Sequence, residues 1–178
     1  MSFFTSAKKK KFKRRQTLCE EADIFSQVHY IREHHNEKNK FNTLPHKSSP
    51  ERDACVEWYS NHNNPSSYSE IILCYLNDSK TDKNTLCEKY QLESSYFSKL
   101  ADNPKYHPSK GEALILCFAF HLNYEEARAL LKSADFILSS SEKQDLIIRY
   151  FLENNFFNLN DLNYVLNHFD FPSVKDII

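Results

Sequence analysis

The residues that could do chemistry are most concentrated near the N-terminus, in the run AKKKKFKRR. Seven cations stand there without an acidic residue among them: Lys8, Lys9, Lys10, Lys11, Lys13, Arg14 and Arg15. Such a run can neutralise several phosphate groups without reading a base sequence. It can equally be a solubilising terminus or, in a eukaryotic cell, a nuclear-targeting signal. Because like charges in a row cannot pack, we predict that residues 1–16 form a basic, disordered tail.

Groupings that would support catalysis or metal binding are not recognisable in the rest of the sequence. His29 is followed five and six residues later by His34 and His35, a spacing that does not stack them on one helix face. Adjacent carboxylates such as Glu125 and Glu126 point in different directions and are typical of helix starts. No Ser/His/Asp or Cys/His constellation is recognisable. We therefore expect a protein that is not an enzyme and has no metal or cofactor.

The composition favours helices. One glycine and six prolines in 178 residues leave little material for the tight turns of a β-sandwich or for a phosphate-binding Gly-rich loop. The five cysteines include no CxxC pair, and no apolar stretch is long enough to span a membrane. These features predict an all-α, cytoplasmic protein with reduced, buried cysteines and no membrane contact.

Helix-start signals recur along the chain. Thr17 with Glu20, and Asn123 with Glu126, have the spacing of a capping box. The other predicted caps are Ser67 with Glu70, Asp82, Ser94 or Ser95, Ser109, Ser139 or Ser141, and Asn160. The segment ALILCFAF is apolar on every face, so we predict a buried central helix over Leu114–Phe120.

The stretch DKNTLCEKYQLESSYFSKL resembles the central helices of the lambda-repressor-like (Xre-type) helix-turn-helix domain. In that family a capped helix with a small residue at its centre leads through a turn into a recognition helix that begins with Ser or Thr. Here Asp82 stands at the cap, Cys87 at the small-residue position and Gln91 in the turn, and residues 94–100 match the recognition helix. Most of the family has Gly or Asn where this chain has Gln91.

A second resemblance covers residues 67 to about 174. The segments FSKLADNPKYHPSK, LNYEEARALLKSADF and DLIIRYFLENNFFNLNDLNYVL are similar to successive parts of an Xre-like helical module found attached to other bacterial domains. Asp135 and Asn155 stand where that module has glycine, and we interpret both as turn positions. The module occurs in mobile-element and antiphage contexts, which implies a bacterial setting.

The resemblance implies that the helix beginning near Ser94 is presented to a nucleic acid. In such a reader, small polar side chains reach base edges and flanking basic groups meet phosphates. The predicted nucleic-acid-binding residues of this face are Lys83, Asn84, Ser94, Ser95, Tyr96, Ser98, Lys99 and Lys105. We therefore expect a DNA-binding protein, with DNA favoured over RNA. It would act as a transcription regulator or as the nucleic-acid-contacting component of a bacterial defence or mobile-element system.

The uneven distribution of charge leaves a second hypothesis open. Residues 1–60 carry 12 Lys and Arg against 8 Asp and Glu, whereas residues 61–178 carry 11 against 16. A net negative C-terminal part is unfavourable for a module whose affinity comes mainly from neutralising phosphates. The alternative is a non-catalytic adaptor that binds a partner effector protein through the same module and the N-terminal helices.

Taken together, these patterns predict three segments. Residues 1–16 are the basic tail, and residues 17–66 are a helical extension with a polar linker, in which one amphipathic helix runs from Thr17 to about His35. Residues 67–178 form the helix-turn-helix-like helical domain.

Overall fold

The computed structural model describes residues 3–35, 67–79 and 81–177. These residues form eight α-helices and one 3-10 turn and contain no β-strand, which confirms the predicted all-α class. The helices are α1 (Phe3–His35), α2 (Tyr68–Asp78), α3 (Lys83–Tyr90), α4 (Tyr96–Asp102), α5 (Lys110–Ala119), α6 (Tyr124–Ser133), α7 (Lys143–Glu153) and α8 (Leu159–His168), and the 3-10 turn is Val174–Asp176. The polar linker predicted at residues 36–50, the helix predicted to start at Ser49-Pro50 and the rest of the helical extension up to residue 66 lie outside the described residues.

The chain forms two compact units. Of the described residues, the first unit joins 3–35 to 138–177, and in it α1 packs along α7 and α8. The second unit holds the described residues 67–79 and 81–137, which form α2 to α6. The prediction placed residues 67–178 in one domain, whereas the two units divide this range after Ile137. Local sequence signals do not reveal that an N-terminal helix packs on helices so far along the chain.

The second unit is built around α5. Ser109 caps this helix: its side chain accepts from the backbone of Glu112, and the Glu112 carboxylate accepts from the Ser109 backbone. Residues 114–118 are all at most 3% exposed, which confirms the predicted buried helix, although the helix ends at Ala119 rather than at Phe120. Helices α3 and α6 pack on α5, and α2 packs on α4 and α6. Each large side chain buried in this core contributes about 1.5–3 kcal/mol to folding.

Most of the predicted helix starts of the second unit are confirmed. Ser67 and Asn123 each form a complete capping box, and the Asp82 carboxylate accepts from two backbone N–H groups of α3. Ser95 occupies the N-cap position of α4, although its side chain makes no capping hydrogen bond. These starts could be read from sequence because a cap needs only a polar side chain and its near neighbours.

The helix starts predicted in the first unit were wrong or displaced. Thr17 lies inside α1, where its hydroxyl donates to the Lys13 carbonyl instead of capping a helix. Helix α7 starts after Glu142 rather than at Ser139 or Ser141, and α8 is capped by Asn158 rather than Asn160.

The N-terminal run is helical in the structure. Residues 3–16 form the first part of α1, so the prediction that residues 1–16 are a disordered tail was wrong for these positions. The run contains neither Pro nor Gly, and Lys and Arg are good helix formers. Once the packed part of α1 exists, each further residue extends an existing helix, which avoids the cost of nucleation.

Five helices end in a non-glycine residue with a left-handed backbone: Gln91, His121, Asp135, Asn155 and Asp170, with φ between 54° and 61°. After each of them, the next residue donates its N–H back into the last helical turn, as Leu92 does to the Cys87 carbonyl over 3.0 Å. This is the Schellman arrangement, in which glycine is usual. The turn positions interpreted at Asp135 and Asn155 therefore have the backbone that glycine would adopt without strain.

The prediction that every cysteine is reduced and buried is only partly met. Cys19, Cys87 and Cys117 are buried and free. Cys74, in contrast, is disulfide-bonded, which the odd cysteine count and the lack of a CxxC pair did not indicate. Burial raises the pKa of the Cys117 thiol far above its ordinary value, so this thiol stays protonated and unreactive.

Candidate nucleic-acid interface

The N-terminal part of α1 is an exposed basic helix. Every residue from Ala7 to Arg14 is exposed, and we call residues 7–14 the basic arm. The arm carries Lys8, Lys9, Lys10, Lys11, Lys13 and Arg14, as the sequence analysis predicted for a phosphate-binding run. None of its five lysines forms an ion pair with another described residue. The sixth cation, Arg14, lies 3.9 Å from Asp161 Oδ2, but its side chain is 63% exposed, so it can meet an anionic partner together with the five lysines.

The cations of the arm surround the helix axis. Successive residues of an α-helix are rotated by about 100°, so residues three or four apart share a face. This places the cations in three stripes: Lys8 with Lys11, Lys9 with Lys13, and Lys10 with Arg14. The first two stripes lie roughly 150° apart around the axis, and the third lies on the remaining side.

Arg15 differs from the other predicted cations because it is committed to the fold. Its Nε donates to Asp161 Oδ1 over 2.9 Å, its Nη2 donates to the Asn160 carbonyl over 3.2 Å, and the guanidinium lies over the Tyr164 ring. The side chain of Arg15 is 20% exposed and that of Asp161 only 5%. Arg15 therefore fixes α1 to the start of α8 rather than facing a partner.

In the segment from α3 to α4, the small central residue, the turn residue and the start of the second helix lie where the resemblance to the helix-turn-helix domain predicts them. Cys87 is buried in α3, Gln91 has φ 56° and ψ 35° just after this helix, and α4 begins at Tyr96. The Cys87 thiol lies 3.4 Å from the Glu93 carbonyl, to which it donates. The membership of these helices in the helix-turn-helix family stays a prediction.

Glu93 forms hydrogen bonds with two of the side chains that we expected to contact a nucleic acid. Its carboxylate accepts hydrogen bonds from the Ser95 hydroxyl and from Lys99 Nζ. The hydrogen bond from Lys99, and after it the one from Ser95, lowers the pKa of Glu93. The carboxylate therefore stays ionised and neutralises the charge that Lys99 would offer to a phosphate.

The prediction that Tyr96 lies on the exposed face of α4 was wrong. Its side chain is 1% exposed, and its hydroxyl lies 2.9 Å from the Tyr68 hydroxyl inside the second unit. Burial raises the pKa of Tyr96, so the phenol remains neutral. Phe97 and Leu100 are buried as well, which shows that the core face of α4 includes its first two residues.

The other predicted residues of this face are on the surface. Those that are exposed are Lys83, Asn84, Ser94, Ser98, Lys99 and Lys105, while Ser95 is half-buried. Acidic side chains stand close to them in the chain, namely Asp82, Glu93 and Asp102, all exposed. The face therefore combines few cations with several anions, a charge balance that gives weak attraction to phosphates.

A pocket of about 350 Å³ in the first unit offers no unpaired charge to a ligand. Two of its charged side chains face each other, since Lys143 Nζ lies 2.6 Å from Asp23 Oδ1. Gln27 donates to the other oxygen of Asp23 over 2.8 Å. In the described part of the chain, no three His, Cys, Asp or Glu residues are grouped as a metal site.

The carboxylates of Glu93 and Asp161 pair with cations of these surfaces, and neither pairing was predicted from the sequence. Glu93 stands two residues before Ser95 and six before Lys99, so its proximity to the predicted face could have been noticed. Asp161 lies 146 positions from Arg15, and no local signal connects the two.

Comparison of the chain with protein-family models, curated protein sequences and solved structures finds no match. Among the described helices, including the long α1, none combines the length and apolar character needed to cross a membrane. A proposal on function therefore depends on the residues themselves, and foremost on the six exposed cations of the basic arm.

Proposed function

We propose that this protein binds nucleic acid and that the basic arm supplies most of its affinity. The observation that carries the proposal is the exposure of six cations on residues 7–14 without an acidic residue among them. Each cation that meets a phosphate releases a bound counterion, which is the main driving force for sequence-independent binding. DNA is the favoured partner.

In this proposal the face made by α3 and α4 has a secondary role. Ser94 and Ser98 are exposed and small, and side chains of this kind can donate to or accept from base edges. Lys99 contributes little charge while it is paired with Glu93. The face would add selectivity to an affinity that the arm provides, in line with a transcription regulator or the nucleic-acid-contacting component of a bacterial defence or mobile-element system.

The cytoplasmic location remains part of the proposal.

A partner-binding adaptor is the second candidate, and one observation favours it. Ile24 and Val28 lie one turn apart on α1 and are 61% and 39% exposed. Neighbouring exposed apolar side chains are a feature of surfaces that bind another protein. This pair lies on the packed part of α1, beyond the basic arm, so the two candidates can be separated by mutation.

The test compares two triple variants of the full chain that lose the same charge. One carries Lys8→Gln, Lys9→Gln and Lys10→Gln, and the matched control carries Lys89→Gln, Lys132→Gln and Lys175→Gln, all at exposed positions. Binding to a fluorescent duplex is measured by anisotropy at low salt. We expect the arm variant to bind at least tenfold more weakly than the wild type, and the control to bind within about twofold of it.

Equal affinities for the two variants would contradict a role for the arm, and no binding by the wild type at low salt would contradict the proposed function. The adaptor hypothesis predicts instead that the double variant Ile24→Ser with Val28→Ser no longer captures a protein partner, while its DNA binding is unchanged.

A further inference from the structure

We infer that the basic arm lies in the major groove of duplex DNA. The inference rests on the proposed function and adds the form of nucleic acid and the groove. It follows from the way the cations are distributed around α1, from the dimensions of the arm and from its single large apolar side chain.

The distribution of charge requires phosphates on more than one side of the helix. The stripe of Lys8 and Lys11 lies almost opposite the stripe of Lys9 and Lys13. A flat anionic surface or a single extended strand could neutralise only the stripe that faces it. A helix lying in a groove has phosphate backbones on both sides, so these two stripes, which flank Phe12, both find partners, whereas the stripe of Lys10 and Arg14 lies on the side of the helix opposite Phe12.

The dimensions of the arm agree with those of the groove. An α-helix with its side chains is about 10–12 Å across, and the major groove of B-DNA is about 12 Å wide. The eight residues of the arm are about 12 Å long, and a duplex carries one phosphate charge per about 1.7 Å of axis. Roughly seven phosphates therefore accompany the six cations of the arm.

The same dimensions argue against other anionic partners. The major groove of A-form RNA is deep and too narrow for side chains to read, so a helix cannot enter it. A helix that lies on a membrane needs a broad apolar face opposite its cations. In residues 7–14 the only large apolar side chain is Phe12, which is 55% exposed and is flanked by cations on both sides. In a major groove, Phe12 could contact a thymine methyl group.

The decisive experiment neutralises one stripe at a time in the full-length protein. The three variants are Lys8→Gln with Lys11→Gln, Lys9→Gln with Lys13→Gln, and Lys10→Gln with Arg14→Gln. The matched control is Lys89→Gln with Lys132→Gln, and circular dichroism verifies that all four proteins remain folded. Affinity for one duplex is measured at fixed salt.

We expect the Lys8/Lys11 and Lys9/Lys13 variants to lose roughly tenfold in affinity each and to agree within about threefold, the Lys10/Arg14 variant to lose less than either, and the control to stay within twofold of the wild type. If only one of the Lys8/Lys11 and Lys9/Lys13 variants lost affinity and the other bound like the wild type, the groove inference would be overturned, and the proposed function would still stand.

A second measurement identifies the groove and the partner. Bound wild-type protein should protect guanine N7, a major-groove atom, from dimethyl sulfate, and the Lys8→Gln, Lys9→Gln, Lys10→Gln variant should not. Affinity for duplex RNA of the same sequence should be at least tenfold weaker than for duplex DNA. Equal affinity for the two duplexes, or tighter binding to phosphatidylserine vesicles than to DNA, would overturn the inference. Failure to bind any nucleic acid would instead refute the proposed function.

Discussion

Arg15 Nε donates a hydrogen bond to Asp161 Oδ1 over 2.9 Å, so a cation of the N-terminal run pairs with a carboxylate 146 positions further along the chain. This pair separates the two roles of α1. Residues 7–14 are exposed, and residues after Arg15, beginning with Leu18, pack in the first unit. The exposed arm is therefore attached to a fixed helix rather than to a flexible chain.

We predict that Arg15→Ala destabilises the first unit by about 2–4 kcal/mol, because it leaves the buried Asp161 carboxylate without its cation. Arg14→Ala is the matched control. Arg14 is 63% exposed and its Nη2 lies 3.9 Å from Asp161, so its loss should change the free energy of unfolding by less than about 0.5 kcal/mol. Urea unfolding followed by circular dichroism measures both. Equal stabilities for the two variants would disprove the anchoring role of Arg15.

A glycine in place of Gln91 should stabilise the second unit. Gln91 has a left-handed backbone at the end of α3. In this conformation the Cβ of a non-glycine residue lies too close to the following carbonyl oxygen, and glycine, which has no Cβ, avoids this contact. We predict that Gln91→Gly raises the free energy of unfolding by about 0.5–1 kcal/mol. Gln91→Ala keeps the Cβ and should give no such gain. If alanine stabilised the protein as much as glycine, the backbone strain would not be the cause.

The buried position of Leu116 predicts a large cost for a charge in α5. Leu116 is fully buried, so Leu116→Asp places an unpaired carboxylate in the core at a cost of several kcal/mol, enough to unfold a marginally stable unit. Ile137, 73% exposed, provides the same substitution at the surface, and Ile137→Asp should leave the melting temperature nearly unchanged. A cooperative thermal transition of Leu116→Asp near that of the wild type would contradict the core position.

Glu93 should mask the contribution of Lys99 to DNA binding. We predict that Lys99→Ala changes the affinity by less than about twofold in the wild type but weakens binding severalfold in a Glu93→Gln background, where the cation is released. The folded pKa of Glu93 is lowered, so the masking is present at neutral pH and is lost only as the pH falls through that lowered value. A double-mutant cycle with zero coupling at neutral pH would exclude the masking.

The sequence predicted those parts of the fold that depend on near neighbours. The capping boxes at Ser109 and Asn123 involve a residue and its partner three positions later, and the apolar run of α5 is buried on every face. The same signature failed at Thr17, because a Ser or Thr followed by Glu also occurs inside a helix, where nothing needs capping.

The features that were missed depend on tertiary contacts. The burial of Tyr96 follows from its pairing with Tyr68, and the role of Arg15 follows from Asp161. In the candidate interface, the sequence predicted a run of solvated cations, and residues 7–14 are indeed exposed, but it did not predict their helical arrangement. A run of lysines repels itself in a helix by a few tenths of a kcal/mol per pair, and the continuity with the packed part of α1 offsets that cost.

The salt dependence of DNA binding tests most directly the claim that the arm supplies the affinity. The logarithm of the binding constant is measured against the logarithm of salt concentration for the wild type and for the Lys8→Gln, Lys9→Gln, Lys10→Gln variant. Each phosphate contact contributes about 0.9 to the slope, so we predict that the variant has a slope smaller by roughly three. Two parallel lines, with the arm lysines contributing no counterion release, would contradict the claim.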